Sequence, residues 1–269
     1  MALHSTALQP APGFASHPGY RVDIEPCAKR IRVAFNGETI ADSTGVLLIR
    51  ETAHTPVYYF PPEDVRLDLM ARSDHGSHCP FKGDAAYRTV EVGGRRAENA
   101  VWSYEAPFAE CAEIKGYLGF YWDRMDHWYE EDDEVFVHAR DPHVRIDVLA
   151  SSRPVKVVAA GQTLADSRRG LFLFETGLPT RYYLPRDDVR MDLLSASETK
   201  TECPYKGRAD HWSLHHDGRT VADIAWSYAD PLPEVARIKD HICFYDERVD
   251  SLVLDGTPLT KPKTKWSQG

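Results

Sequence analysis

The chain has 269 residues, a net charge of −9 and a pI near 5.7, with 42% hydrophobic and 27% charged residues. That length accommodates one large domain or two ordinary ones, and no run approaches the roughly 18 apolar residues of a membrane span. Lys261, Lys263 and Lys265 form the one local basic stretch, so nucleic acid is not an expected partner: its counterions are released by clustered Lys and Arg.

Residues 1–16 read as a flexible N-terminal arm. Met1 to Tyr20 has neither a basic start nor an apolar core, so no signal peptide is expected, and Pro10, Pro12 and Pro18 break regular structure. Arg32 to Phe35 reads as a short strand before an Asn36-Gly37 turn. Val46 to Glu51 and Val57 to Phe60 are aliphatic and aromatic, as buried strands are. Glu63 to Ala71 reads as a short helix capped by acidic residues. Tyr87 to Val92 reads as a strand before Gly93-Gly94, and Ala100 to Tyr104 alternates as a strand does. Phe108 to Tyr117 reads as a second short helix. Residues 127–140, with an acidic run from Glu130 to Glu134, read as a solvated linker.

The same series then returns. Lys156 to Val158 precedes Ala160-Gly161; Leu171 to Glu175 and Arg181 to Leu184 read as strands; Asp187 to Ser195 reads as a helix. Trp212 to His216 and Ile224 to Tyr228 read as strands, and Leu232 to His241 as the last helix. Residues 251–269 read as a polar tail. An offset of 124 positions aligns 17–126 with 141–250 without a gap, and about 40 of the 110 pairs are identical. Two copies at this length are tandem domains, each able to carry a core. The expected fold is mostly β with minor α: in each copy, a small twisted antiparallel sheet or partly open barrel with short helices. A pseudo-twofold contact between the copies is expected, with no oligomeric state implied.

The identities fall in blocks. Thr39-Ile40-Ala41-Asp42-Ser43 matches Thr163-Leu164-Ala165-Asp166-Ser167, and Glu51-Thr52 matches Glu175-Thr176. Tyr58-Tyr59-Phe60-Pro61 matches Tyr182-Tyr183-Leu184-Pro185, and Asp64-Val65-Arg66 matches Asp188-Val189-Arg190. Cys79-Pro80-Phe81-Lys82-Gly83 returns as Cys203-Pro204-Tyr205-Lys206-Gly207, and Trp102-Ser103-Tyr104 as Trp226-Ser227-Tyr228. In this order the blocks resemble the domain of unknown function 427 family, which also carries a nucleotidyltransferase label. The resemblance covers roughly four fifths of the chain and implies one shared fold for both copies. Family members usually carry Thr two residues before the Cys-Pro; Thr201 fits, and the first copy has Ser77. The residues themselves contain no Gly-rich phosphate loop and no Gly-Ser followed by an Asp-x-Asp pair, the parts that phosphoryl transfer uses. The Asp187-Asp188 pair, beside a proline, reads as a helix cap.

Polar residues shared by both copies are the candidate site. Glu51 shares a strand face with Leu47 and Ile49, and Glu175 with Leu171 and Leu173. Such a carboxylate is either paired, with Arg66 or Arg190, or a desolvated acid/base, since desolvation raises a carboxylate toward neutrality. In Cys79–Lys82 and Cys203–Lys206 an ammonium group could activate the thiol; the other reading is a tight turn with Pro, Gly and a small buried Cys. Lys82 and Lys206 suit an anionic substrate group. Tyr58, Tyr182, Trp102, Trp226, Tyr104 and Tyr228 are pocket walls or core, and Arg66 and Arg190 are further anchors. His75 and His78 cluster near Cys79, and His211, His215 and His216 in the second copy, but neither set repeats, so no metal site is expected. The five cysteines are odd in number, without a Cys-x-x-Cys pair, which points to a reducing, cytoplasmic setting. The expected function is a small-molecule enzyme working without metal or cofactor by acid/base chemistry: hydrolysis, elimination or isomerisation. The competing expectation is a non-catalytic module that binds a metabolite or a protein.

Overall fold

The structure is a computed structural model that describes residues 9–264. The chain divides into two compact units, Met1–Asp141 and Pro142–Gly269.

The first unit opens with one helical turn, α1 (Pro12–Ser16). Its strands are β1 (Val22–Pro26), β2 (Ile31–Phe35), β3 (Glu38–Ser43), β4 (Leu47–Glu51), β5 (Val57–Phe60), β6 (Met70–Cys79), β7 (Gly83–Val92), β8 (Arg95–Tyr104), β9 (Leu118–Phe120), β10 (His127–Glu130) and β11 (Asp133–Glu134). Seven form one sheet in the order β1-β4-β5-β9-β8-β7-β6, and four form another in the order β11-β10-β2-β3. Every pairing between these strands is antiparallel.

The second unit repeats this. Its strands are β12 (Ile146–Ser151), β13 (Val155–Ala159), β14 (Gln162–Ser167), β15 (Gly170–Glu175), β16 (Arg181–Leu184), β17 (Leu194–Cys203), β18 (Gly207–His216), β19 (Arg219–Ser227), β20 (Ile242–Phe244), β21 (Ser251–Leu254) and β22 (Thr257–Pro258). The sheets run β12-β15-β16-β20-β19-β18-β17 and β14-β13-β21-β22. The expected mostly-β tandem fold is thus present as a pair of open sheets in each half. Among the described residues no helix is long and apolar enough to cross a membrane.

Period-two alternation gives each large sheet two apolar faces. In the first unit Leu48, Tyr58, Phe60, Val101 and Phe120 pack with Ile31, Val33 and Phe35 of the small sheet. Ile49, Tyr59, Ala85, Tyr87 and Tyr104 face the other way, onto Cys111 and Ile114. The second unit does the same, with Phe172, Tyr182 and Leu184 on one side and Leu173, Tyr183 and Tyr228 on the other.

Several elements differ from the sequence reading. The helices expected over Glu63–Ala71 and Asp187–Ser195 are pairs of 3-10 turns, Pro62–Asp64 with Leu67–Leu69 and Arg186–Asp188 with Met191–Leu193. The reason is a competing acceptor: the Arg66 amide donates to Ile40 O at 2.9 Å and the Arg190 amide to Leu164 O at 2.8 Å. Helix expected over Phe108–Tyr117 and Leu232–His241 reduces to Ala109–Ile114 and Pro233–Ile238, each kinked, at Cys111 and Val235.

The stretch 127–140, read as a linker, carries β10, which pairs with β2. Only Glu131, Asp132 and Asp133 of its acidic run are exposed, while Trp128, Glu130 and Val135 are buried. The stretch read as a polar tail likewise starts with β21, paired with β13; its residues 265–269 lie outside the described residues. Residues 9–16 of the arm dock on the first unit, with Gly13 N donating to Pro80 O at 2.9 Å; residues 1–8 lie outside the described residues.

Trp128 packs on Phe60, Phe120 and Trp122. Trp128→Ala is therefore expected to cost about 3–5 kcal/mol, the usual range for a large buried aromatic. Denaturant unfolding measures it; a loss below about 1 kcal/mol would return this segment to the status of a connector.

Candidate functional site

β4 ends at Glu51, and the β6–β7 hairpin turns through Pro80, Phe81 and Lys82. Register brings these together: Leu47 and Ile49 put Glu51 on the same face as Tyr59 and Tyr104. The Lys82 ammonium donates to Glu51 Oε1, with the two side chains only 9% and 11% exposed. In the second half Lys206 donates to Glu175 Oε2, at 11% and 7% exposure. Both ion pairs thus lie on the face away from the small sheet.

Aromatic rings surround them. Lys82 Nζ lies 5.8 Å from the centroid of the Tyr104 ring. Trp102 Nε1 donates to Tyr59 OH at 2.8 Å, and Trp226 Nε1 to Tyr183 OH at 3.1 Å. Burial pushes the phenols of Tyr59, Tyr104, Tyr183 and Tyr228 far up, so all four stay protonated at neutral pH. Tyr20, from the segment before β1, donates to Glu51 Oε2 at 3.0 Å. Cys111 Sγ sits 3.5 Å from Phe81 O, and burial pushes its thiol up to about 11, opposing thiolate chemistry there.

Of the residues singled out in the sequence, Glu51, Lys82, Trp102 and Tyr104 come together, as do Glu175, Lys206, Trp226 and Tyr228. Cys79 and Cys203 are half-buried at the hairpin ends, opposite Gly83 and Gly207. Tyr58 and Tyr182 lie on the other face; Tyr58 donates to Glu130 Oε1 at 2.8 Å. Arg66 and Arg190 are exposed on the 3-10 turns, each forked onto a neighbouring carboxylate, Asp68 or Asp192. The pairing considered for the strand carboxylates is therefore made by Lys82 and Lys206 instead.

The histidines are dispersed. His78 binds Asp84 at 2.6 Å, His75 is edge-on to Tyr87, and His215 binds Thr220 at 3.1 Å. Among the described residues no three His, Cys, Asp or Glu side chains gather as a metal would need. His211, 2% exposed, binds Thr201 Oγ1 at 2.9 Å, and burial lowers its pKa.

Some residues at this face escaped the sequence reading. Tyr59 and Tyr183 were visible as neighbours of Tyr58 and Tyr182, but strand register alone decides which of two adjacent tyrosines meets the glutamate. Tyr20 aligns with Val144, so comparing the copies could not flag it. The second half has its own buried cluster at non-repeated positions. Arg181, where the first copy has Val57, holds Glu247 in a fork at 2.8 and 3.1 Å. It also lies 3.4 Å from Asp246 and 5.6 Å from the Trp226 ring centroid.

The family model described as domain of unknown function (DUF427) matches residues 23–131 and 147–255. No curated protein matches the chain.

Removing one partner of a buried pair leaves an uncompensated charge, so Glu51→Gln or Lys82→Met alone is expected to cost about 3–5 kcal/mol. The Glu51→Gln/Lys82→Met double variant recovers most of that loss. A double-mutant cycle by urea unfolding checks it; additive losses would mean the two groups do not interact.

A second test concerns pH. Burial, opposed by Arg181, pushes Asp246 up to about 6. That is above an unfolded carboxylate at about 3.9, so folding takes up a proton between these values. The contribution of Asp246 to the stability of the second half should therefore fall as pH rises from about 4 to 6. Asp246→Asn should remove that slope; an unchanged slope in unfolding measured from pH 4 to 8 would refute the assignment.

Proposed function

We propose that this chain, which belongs to the DUF427 family in two tandem copies, acts on a small molecule in each half. Glu51 and Glu175 move a proton, and Lys82 and Lys206 hold an anionic substrate group. One observation carries this reading: the same Glu–Lys pair recurs, nearly dry, at matching places in both halves. A buried ion pair is a poor source of stability, because apolar residues of similar volume do as well or better. Its occurrence in both copies therefore favours a role in chemistry or recognition.

The geometry supports acid/base work at the carboxylate. Each glutamate ends a strand anchored in the sheet, so its carboxylate is held by rigid backbone. The partner lysine sits on a hairpin turn, and its side chain is 9% exposed in the first half and 11% in the second. An incoming anionic group would take over the ammonium and leave the carboxylate as a proton acceptor. Hydrolysis, elimination and isomerisation are all compatible with these groups. The five free thiols support a reducing compartment, the cytoplasm.

A second reading rests on the same pair. Each carboxylate is already neutralised by its ammonium group, which suits the fixed floor of a binding site that performs no reaction. A panel of small carboxylates and phosphates, followed by mass spectrometry, separates the two readings. Turnover by the wild type is expected. The Glu51→Gln/Lys82→Met and Glu175→Gln/Lys206→Met variants combined should lose at least about 10²-fold in rate while remaining folded. Compounds that bind and are recovered unchanged would favour the binding module.

A further inference from the structure

We propose that residues 9–20 are an intramolecular gate seating the Tyr20 phenol as a built-in occupant of the first half's site, and that the external ligand of this site is a hydroxyaromatic molecule that must displace it. This rests on reading Glu51 and Lys82 as a ligand site.

The segment is fastened to the lysine hairpin and to the 3-10 segment Ala109–Ile114. Gly13 N donates to Pro80 O at 2.9 Å, Ala109 N donates to Gln9 O at 2.8 Å, and Ala11 N donates to Glu110 Oε2 at 2.9 Å. At Gly13 the backbone passes so close that a Cβ would lie 2.7 Å from both the Phe81 ring and Pro80 O. The segment adds no strand to either sheet; besides these three bonds it is held by Phe14 and His17, edge-on to Phe81, so it can lift without breaking a sheet ladder.

Tyr20 is held as a ligand would be held. Its ring stacks on Phe81 with centroids 3.7 Å apart and planes 7° apart. Its hydroxyl donates to Glu51 Oε2, the oxygen that Lys82 leaves free. Stacking face and hydroxyl acceptor together make a complete recognition site for a phenol. An anionic group at this oxygen would be repelled by the carboxylate, so a donor is required there; a further anionic substituent falls to Lys82. The core of this face is mirrored in the second half, whereas Tyr20 aligns with Val144. The shared frame therefore forms without a tyrosine at this position, and Tyr20 is a feature of the first half alone.

The test uses the full chain, wild type and Gly13→Val, with 4-methylphenol as probe and toluene as its hydroxyl-free match. Gly13→Val lifts the segment by crowding Pro80 O and the Phe81 ring; where it also displaces Phe81, toluene binding falls together with 4-methylphenol binding, and Tyr20→Phe, which leaves Phe81 in place, decides. Amide exchange over residues 9–20 should quicken, and 4-methylphenol should bind at least about tenfold more tightly, since less of the site is self-occupied. Toluene should bind at least about tenfold more weakly than 4-methylphenol, because it leaves the acceptor unpaired. Tyr20→Phe, which keeps the ring and loses the hydrogen bond, should move exchange and binding in the same directions, and decides the matter should Gly13→Val not fold. Faster exchange without tighter 4-methylphenol binding overturns the proposal, and so does equal binding of toluene. Binding of 4-methylphenol without any turnover supports the gate and withdraws only the catalytic reading above.

Discussion

In each half a carboxylate and an ammonium group leave water together, and the apolar outer face of the seven-stranded sheet closes around them. Neither group could enter that face alone, since an unpaired buried charge costs far more than a surface one. The pair therefore ties the end of one strand to a hairpin that is distant in the sheet. Glu51 sits on β4 near one edge, and Lys82 on the turn between β6 and β7 at the other. Bridging them requires the sheet to curl, and the short 3-10 segment at Ala109–Ile114 fills the concave side with Cys111 and Ile114.

That arrangement gives the two faces of the sheet different duties. The inner face meets the four-stranded sheet and is filled by aliphatic and aromatic side chains with few polar groups. The outer face carries the Glu–Lys pair with Tyr59, Tyr104 and Trp102, while the inner face has the Tyr58–Glu130 hydrogen bond. Adjacent tyrosines show the division: Tyr58 packs inward and Tyr59 outward, one residue apart. The Glu–Lys pair shared by both halves lies on the outer face, away from the four-stranded sheet.

The halves agree in this frame and differ around it. The first half brings its own N-terminal segment to the glutamate. The second builds a buried Arg181, Asp246 and Glu247 cluster against Trp226, and a His211–Thr201 pair where the first has Tyr87 and Ser77.

Much of this was legible in the sequence. The duplication, the strand periods, the turns at Asn36-Gly37 and Ala160-Gly161, and the association of Glu51 with Leu47 and Ile49 on one strand face all follow from local pattern. The mostly-β class followed from the same signals. Local propensity overstates the short helices because it does not show that a distant carbonyl, such as Ile40 O, takes the amide that a helix needs. The segment at 127–140 resembles a linker in sequence because its charges outnumber Trp128 and Val135, which are buried where β10 pairs with β2.

By itself the sequence determined which residues recur and which share a strand face, because both are properties of short stretches of chain. Only the tertiary structure decided that Glu51 meets Lys82 and not Arg66, that Tyr59 and not Tyr58 lies beside it, and that Tyr20 reaches its second oxygen. Those contacts depend on strand order and register, which are set by packing between segments far apart in the chain.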